Sequence, residues 1–437
     1  MYDEDGIMAS TSRIIPDRLR VLHTFDAFHN PGYRRLWLAY LLVNISRWMQ
    51  MTLLAWLVLE LTGSPLLVAL VGFFGMGPML LLGVIGGVLA DRVDRRRLLL
   101  ASQSASLISA LVMTIVLFVG VERYWYAYLV ILVSGIGWAL DMPSRRSILP
   151  DLMGKSRVTN AVALDSVAMH SSLLIGPVLG GGMISAVGMR GGYLVVAIFY
   201  LVSVLLIRSI KLPDRRNRHS RSQNVLSNLI EGFRYVRGNK VILATVWVTL
   251  FMNLLLFSSM SMVPVIAKDY LNVGPGLMGI LMGAPGLGAL VGALLIASAG
   301  NLRYHGRVYL GGSMLALSAL VAFSLSQRYL LSFLILLVLG LGTAGFSTMQ
   351  ATIVMLVACE EMRGRALGVV SLAIGAGPLG NVLVGVVASA ASPPLAIGLN
   401  AAVGAASLVA VGVLMPSLWR RMSGSVQQGT VVEVPEP

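Results

Sequence analysis

Apolar runs of about 18 residues or more recur along almost the whole chain, separated by short polar segments. A helix of roughly 20 apolar residues crosses the hydrocarbon core of a bilayer and pairs its own backbone polar groups there. No run alternates between polar and apolar residues as the strands of a membrane barrel do. The pattern therefore predicts an all-α polytopic membrane protein with twelve transmembrane helices, called spans one to twelve below. Their predicted ranges are 36–61, 65–90, 98–120, 125–142, 163–187, 191–210, 241–267, 276–299, 308–327, 329–350, 366–390 and 395–417.

The composition excludes a water-soluble protein, because 57% of the residues are hydrophobic and only 12% are charged. Soluble proteins carry about 25% charged residues, and the mean hydropathy here is +0.82. The one cysteine, Cys359, excludes a disulfide framework and a site built from several thiolates. The sequence also lacks a phosphate-binding P-loop, a nucleophile elbow and any cluster with metal-ligand spacing. It therefore predicts no cofactor, no metal and no enzymatic activity.

The net charge of +14 would suggest a nucleic-acid partner in a soluble protein. Sorted by loop, however, 28 of the 33 Lys and Arg side chains fall on one side of the predicted membrane and four on the other. Such an excess of basic residues marks the cytoplasmic side. The charge therefore predicts two cytoplasmic termini and no nucleic-acid partner. The remaining basic residue, Arg47, lies inside span one.

Four motifs recur in the same order at offsets between 201 and 209 residues, which predicts an internal repeat. The pairs are Asn44 with Asn253, 75–78 with 283–285, 155–157 with 361–363, and 176–180 with 377–380. Two parallel six-helix bundles that enclose a midplane cavity are typical of transporters. The predicted divisions are a tail (1–33), an N-terminal half (34–210), a cytoplasmic linker with an amphipathic helix (211–240), a C-terminal half (241–421) and a second tail (422–437).

The segment GVLADRVDRRR at 87–97 resembles the loop between spans two and three of the major facilitator superfamily. Asp94 stands where glycine is usual in that motif. Other segments, among them ALDMPSRRSILPDL and RGRALGVVS, are similar to the transmembrane secretion effector branch, which includes enterobactin exporters and macrolide efflux proteins. The resemblance implies the major facilitator fold, with two pseudo-symmetric six-helix bundles, and a monomer in the cytoplasmic (inner) membrane of a bacterium.

The same resemblance implies a gating motif, in which Asp91 docks on the start of span eleven and helps to close the cytoplasmic side. The simpler alternative is a basic anchor. The motif residues are Gly87, Asp91, Arg92, Arg95 and Arg96.

The GPVLGG segment of span five resembles an exporter motif, and its repeat in span eleven favours a hinge or packing role. The alternative is plain close packing of small residues. The residues are Gly176, Pro177, Gly180 and Gly181, with Gly377, Pro378 and Gly380 in span eleven.

Arg47 lies near the middle of span one, where a charge is costly and normally faces a cavity. Asn44 and Gln50 follow the same stripe at spacings of three residues. We expect no acidic residue at the depth of Arg47, since Glu60 is about 20 Å along the axis. A cationic cavity of this kind suits a neutral or anionic substrate. The alternative is an arginine satisfied by neighbouring carbonyls and amides. The predicted substrate-binding residues are Asn44, Arg47, Gln50, Trp138, Asn253 and Gln350.

Proton relays in transporters use intramembrane acids and histidines. Four residues near the predicted span ends are candidates, in the order Glu60, Asp165, Asp141 and His170. The alternative is that they are ordinary interfacial polar residues. The sequence as a whole predicts a secondary active exporter of siderophore-like or drug-like amphiphiles, driven by proton antiport, with a small-molecule substrate, protons and membrane lipid as its partners. An importer or facilitator, a lipid transporter of the same fold, and a sensor that does not transport are the alternatives.

Overall fold

A computed structural model describes residues 26–92, 94–210, 225–299 and 304–419. Every regular element in these ranges is helical. The α-helices are Pro31–Thr62, Pro65–Arg92, Arg95–Val119, Tyr124–Arg208, Val225–Gly238, Lys240–Phe251, Val263–Val265, Pro275–Ser298, His305–Leu325, Tyr329–Val357, Arg363–Ile374, Gly377–Ala390 and Pro393–Leu414. Short 3₁₀ turns lie at Asp26–His29, Met260–Met262, Glu360–Met362 and Pro416–Trp419, and π-helical segments at Met252–Phe257 and Ile266–Tyr270.

Ten helical segments of the described chain are long and apolar enough to cross a membrane. One of them, Asn160–Arg208, has 49 residues. At 1.5 Å per residue it is about 70 Å long, which is enough for two crossings. A shorter apolar helix, Pro65–Leu80, covers most of span two. The protein is a multi-pass, all-helical membrane protein, as the apolar pattern predicts.

Residues Tyr124–Arg208 are helical throughout, but contacts between residues far apart in this stretch show that its path reverses twice. Arg145 forms an ion pair with Asp165, and the two residues would lie about 30 Å apart in a straight helix. Gly192 likewise packs beside the Met183 side chain. The second reversal occurs at Gly188, whose φ of 74° is in the left-handed region that glycine adopts without a steric cost. Spans four, five and six are therefore separate antiparallel segments, and residues 143–162, expected as a loop, are helical.

The helix ends carry the expected capping chemistry. Asn30 accepts hydrogen bonds from the Gly32 and Tyr33 amides at the start of span one. Asp94, the residue that departs from the usual loop motif, accepts the Arg97 amide at the start of span three. Such side chains pair the free amide groups of a first turn.

Spans seven and eleven are irregular. Span seven changes from α-helix to π-helix at Met252–Phe257 and again at Ile266–Tyr270. Span eleven is interrupted at residues 375–376 between Arg363–Ile374 and Gly377–Ala390. The Gly377-Pro378 pair therefore begins a new helix, whereas Gly176-Pro177 lies inside continuous helix in span five.

The two halves meet along a seam of small residues between spans five and eight. A side chain at Gly181 would collide with the Pro275 carbonyl and the Gly279 backbone, so the two helices touch backbone to backbone. Further along the same seam, Gly283 of span eight faces the Leu174 carbonyl of span five in the same way. Small residues allow this approach. Van der Waals packing at such contacts stabilises the association of helices in lipid, where the hydrophobic effect does not act between them.

Span two packs on span eleven in a second seam. Gly385 lies against Ala69, and the Leu66 amide donates to Ser389 Oγ at 3.1 Å. We call the end of the bundle that carries Arg95, Arg145 and Arg363 the basic end; the turns at Gly63, Gly188 and Asn272 mark the opposite end. At the opposite end Lys268 of span seven lies 5.6 Å from the Trp56 ring centroid of span one. The halves are thus joined at the opposite end. The residue boundaries predicted for the two halves stay predictions.

Substituting Gly181 by valine tests the first seam. The added side chain collides with the Pro275 carbonyl, and overpacking of this kind costs about 1–3 kcal/mol. We expect a lower Tm for the purified variant in detergent. Gly182→Val is the matched control, because a Cβ at Gly182 meets no atom within 4 Å. Equal Tm values for the two variants would contradict the seam.

Candidate functional site

A small cavity lies within the N-terminal half, between spans one, three, four and six. Its volume is about 10 Å³, which is room for about one water molecule. Span one contributes Asn44 and Arg47, and span four contributes Trp138 and Asp141. The other lining residues are Val43, Ser102, Gln103, Ser106, Ser134, Gly137 and Tyr200. The cavity is therefore a buried polar site of one bundle, and in this conformation it is too small for an organic substrate.

Arg47 is only 8% exposed, and its guanidinium carbon lies 3.3 Å from the centroid of the Trp138 ring. A desolvated cation over an indole face gains about 2 kcal/mol or more. This contact offsets part of the cost of burying the charge at that depth. Arg47 and Trp138, both predicted to bind substrate, are thus in direct contact, and their role in substrate binding stays a prediction.

Asp141 lies in the same cavity as Arg47, so the expectation that no acid shares the depth of Arg47 is wrong. The span-four helix continues past residue 142, which places Asp141 inside the bundle and not at a helix end. The carboxylate is 5% exposed and accepts a hydrogen bond from Gln103 Nε2 at 3.0 Å. The Ser203 hydroxyl lies 2.7 Å from Gln103 Oε1. A buried carboxylate is thus connected to spans three and six.

Arg145 and Asp165 form a second buried charged group nearer the basic end. The guanidinium donates to both carboxylate oxygens, Nη2 to Oδ1 at 2.7 Å and Nε to Oδ2 at 3.2 Å. A third nitrogen donates to the Leu36 carbonyl at 2.9 Å, and Tyr33 Oη donates to Asp165 at 3.4 Å. This clamp joins the starts of spans one and five to the end of span four. Asp165 therefore has a full set of partners.

The stripe on span one connects the two charged groups. The Arg145 guanidinium carbon lies 3.8 Å from the Tyr40 ring centroid, and Asn44 Nδ2 donates to the Tyr40 carbonyl at 2.9 Å. Beyond Arg47, the fully buried Gln50 accepts from Tyr200 Oη at 3.5 Å. Span one thus carries a continuous polar face toward the interior of its own bundle. We call this face the polar column.

The predicted C-terminal site residues form a separate, neutral cluster. Gln350 Nε2 donates to Thr249 Oγ1 at 2.9 Å, and Asn253 Nδ2 donates to the Thr249 carbonyl at 2.9 Å. The Tyr309 hydroxyl lies 3.0 Å from Thr249 Oγ1. Asn253 and Asn44 each bond the carbonyl four residues earlier, in keeping with their pairing in the sequence repeat. The structure therefore brings the six predicted substrate residues together as two clusters, one in each half.

The remaining candidates for proton coupling lie outside these clusters. Glu60 is exposed near the opposite end, two residues before the end of the first helix. His170 is half-buried in span five, about one turn from the clamp at Asp165. Neither residue lines the cavity that holds Asp141.

The gating motif is only partly described. The surroundings of Gly87 and the side chains of Asp91 and Arg92 are not among the features that the structure describes. The predicted contact of Asp91 with span eleven therefore lies outside the described residues. Arg95 pairs with Asp151 at 3.3 Å, and Arg96 donates to the Arg208 carbonyl. These two arginines therefore attach the loop to other parts of the N-terminal half.

The glycine motifs make matching contacts in both halves. In span five, Gly176 and Gly180 face the Trp48 Cβ and the Met49 carbonyl of span one. In span eleven, Gly380 faces the Leu254 carbonyl of span seven. These close approaches are the packing role expected of the motifs. A Cβ added at Gly377, at the helix interruption, would lie 3.8 Å from the Asn253 carbonyl oxygen.

Two functional residues of the site were not found from the sequence. Arg145 falls in a predicted basic loop, because span four is predicted to end at residue 142. Gln103 was assigned to an apolar span, although the run SQSAS at 102–106 is an unusual polar interruption that would have pointed to it. Neither sequence feature identifies the partner, since the partners lie 20 and 38 residues away.

The sequence profile of the transmembrane secretion effector family matches residues 22–435. The chain belongs to that family. Similar proteins include the multidrug efflux pump Tap of Mycolicibacterium fortuitum, which is 29% identical over 77% of this chain and 84% of its own. The staphyloferrin A transporter of Staphylococcus aureus is 25% identical over 79% of this chain and 87% of its own. Macrolide efflux protein A of Streptococcus pyogenes is 25% identical over 77% of this chain and 84% of its own. The protein is a membrane transporter and not an enzyme.

Solved structures of major facilitator transporters share the fold. A peptide transporter of the POT family in complex with sulfate superposes with a TM-score of 0.71 at 14% identity, over 94% of this chain and all of its own. A bacterial homologue of the human lysosomal transporter Spinster, in an inward-facing and unoccupied conformation, has a TM-score of 0.65 at 16% identity. The match covers 89% of this chain and 96% of that one. The major facilitator fold inferred from the sequence resemblance is confirmed.

The clamp between Arg145 and Asp165 is expected to be structural. Removing one partner of a buried ion pair costs about 3–5 kcal/mol, because the other charge stays buried alone. We expect Asp165→Leu to lower the Tm strongly, and Arg145→Met combined with Asp165→Leu to recover much of the loss. A double variant no more stable than the single one, measured by thermal unfolding in detergent, would argue against the clamp.

Proposed function

We propose that this protein exports small amphiphilic molecules, siderophore-like or drug-like, by alternating access coupled to proton antiport. Similarity to two efflux proteins and a siderophore transporter supports export and the substrate class. The observation that carries the coupling is the cavity in which Arg47 and Asp141 lie together inside one bundle. We place the basic end and both termini in the cytoplasm, in the inner membrane of a bacterium. The protein works as a monomer, with protons and membrane lipid as partners.

We assign the proton to Asp141. Asp165 accepts hydrogen bonds from Nε and Nη2 of the Arg145 guanidinium, and Glu60 is exposed at the opposite end. Asp141, by contrast, has a neutral hydrogen-bond donor in Gln103, while the nearby Arg47 stacks on an indole. The charged and titratable groups that act on this pair are Arg145, Asp165, Tyr40 and Tyr200.

The proposed coupling is electrostatic. An ionised Asp141 offsets the buried charge of Arg47, and a protonated Asp141 leaves that charge without this compensation, beside the rings of Trp138 and Trp48. The energy of packing span four on span one therefore depends on whether the proton is bound. Because span one also contacts span seven of the other half, through Trp56 and Lys268, proton binding biases the opening of one end against the other.

The polar column offers a route for the proton between the basic end and Asp141. Tyr40 and Asn44 connect the Arg145 clamp to the cavity, and the cavity has room for about one water. The neutral cluster at Thr249, Asn253 and Gln350 supplies hydrogen-bonding groups without a charge. We assign substrate binding to this cluster, with the uncharged polar groups of an amphiphile as its ligands.

Inside-out vesicles that contain the protein test the function. A panel of macrolides, staphyloferrin A and labelled lipids is offered outside, and an acidic interior is imposed. We expect accumulation that an uncoupler abolishes. Accumulation that is insensitive to the uncoupler would support facilitated diffusion, and uptake of lipid probes alone would support lipid transport. Accumulation of none of the probes would contradict the substrate class.

Asp141→Asn tests the assigned acid. The amide keeps the size and one acceptor, but it cannot release a proton. We expect loss of accumulation driven by the pH gradient, with substrate exchange across preloaded vesicles retained. Glu60→Gln is the control and is expected to behave as the wild type. Gradient-driven accumulation at wild-type rates in Asp141→Asn would contradict the assignment.

A further inference from the structure

The helix Val225–Gly238 in the linker packs one face on the C-terminal half. Val236 is 2% exposed and belongs to an apolar cluster with Val369 and Val370 of span eleven. Gly232 lies so close to span eleven that a Cβ would come within 2.9 Å of the Arg365 carbonyl. The linker helix is therefore fixed on the first segment of span eleven.

Two polar contacts complete this attachment. Glu231 Oε2 lies 2.7 Å from Arg365 Nη1. Tyr235 Oη accepts the Cys359 amide at 3.2 Å, in the turn that precedes span eleven. The attached segment, Arg363–Ile374, ends at the interruption of span eleven. A force on the linker helix is thus transmitted to the part of span eleven at the basic end.

The other face of the linker helix carries a stripe with no protein partner among the described residues. Ile230 and Phe233 are each 53% exposed, and Arg234 and Arg237 are also exposed. Spacings of three, four and seven residues place all four on one side of the helix. Leaving two large apolar side chains in water forgoes the free energy of their burial. Beside two guanidinium groups, they match an interface that is apolar below and anionic above.

The position of the helix agrees with such an interface. It ends at Gly238, and Asn239 caps span seven, accepting the Val241 and Ile242 amides. The helix thus joins the first turn of a membrane span through one extended residue. It also lies at the basic end, where the loops hold most of the positive charge of the chain. In the proposed orientation the basic end faces the cytoplasmic leaflet, whose surface potential is negative.

We propose that this stripe docks on anionic lipid headgroups and thereby anchors the first segment of span eleven to the membrane surface. Phe233 and Ile230 enter the boundary between headgroups and acyl chains, and the two arginines bind lipid phosphates. The partner is the bilayer itself. The inference concerns a surface remote from the cavity at Arg47, and it does not depend on the substrate or on the coupling ion.

The single cysteine allows a direct test. In a Cys359→Ser background, Phe233→Cys is labelled with an environment-sensitive fluorophore, and the full chain is reconstituted in vesicles. We expect a blue shift of the emission in vesicles of phosphatidylcholine with phosphatidylglycerol, and no shift in phosphatidylcholine alone. High salt should reverse the shift, because it screens exposed charges. An equal shift in both lipids, or none in either, would overturn the proposal.

Arg234→Gln with Arg237→Gln, in the same labelled chain, should abolish the blue shift. Arg34→Gln with Arg208→Gln is the matched control, since it removes the same charge from exposed positions at the basic end of the other half. The control should keep the shift, and its loss there would show a general charge effect and overturn the docking site. In the chain with native Cys359, we expect slower thiol labelling in the anionic vesicles than in the neutral ones. Equal labelling rates would contradict the anchoring of span eleven.

Discussion

The hydrocarbon core of a membrane contains no water to pair with polar groups, and most features of this structure follow from that constraint. Every regular element of the described residues is a helix, so the backbone pairs with itself. Amides within spans do the same locally: Asn44 and Asn253 each donate to the carbonyl four residues earlier. The same medium removes the hydrophobic drive between helices, so the halves associate by close packing at small residues such as Gly181 and Gly279.

Charges cannot be solvated there either, and their distribution sets the two halves apart. The buried charged side chains of the described residues are Arg47, Asp141 and Arg145, all in the N-terminal half. Each is held by neighbours: an indole, an amide, or a carboxylate with a carbonyl. The corresponding cluster in the C-terminal half contains only hydroxyls and amides. Among the described residues, the repeated positions thus carry buried charges in one half and neutral polar groups in the other.

Much of the fold was predictable, because a helix in lipid needs about 20 apolar residues whatever surrounds it. The positions of the spans and the small-residue motifs of spans five and eleven are properties of short segments. The site was less predictable. Arg47 stands out as a charge within an apolar run, but its neighbour Asp141 lies at the predicted end of span four, at residue 142, and is therefore expected near a membrane face. The helix in fact continues, and the acid lies in the cavity.

The sequence by itself determined the class, the helical spans and the family, since hydropathy, charge distribution and motifs are local or additive along the chain. Only the tertiary structure decided which charges meet. Arg145 reaches Asp165 because the chain reverses between them, and Asp141 reaches Gln103 because spans three and four pack side by side. Likewise, the exposed stripe at Phe233 exists only because the opposite face of its helix is occupied by span eleven. Such partnerships depend on how helices cross in space, and periodicity along one chain does not contain that information.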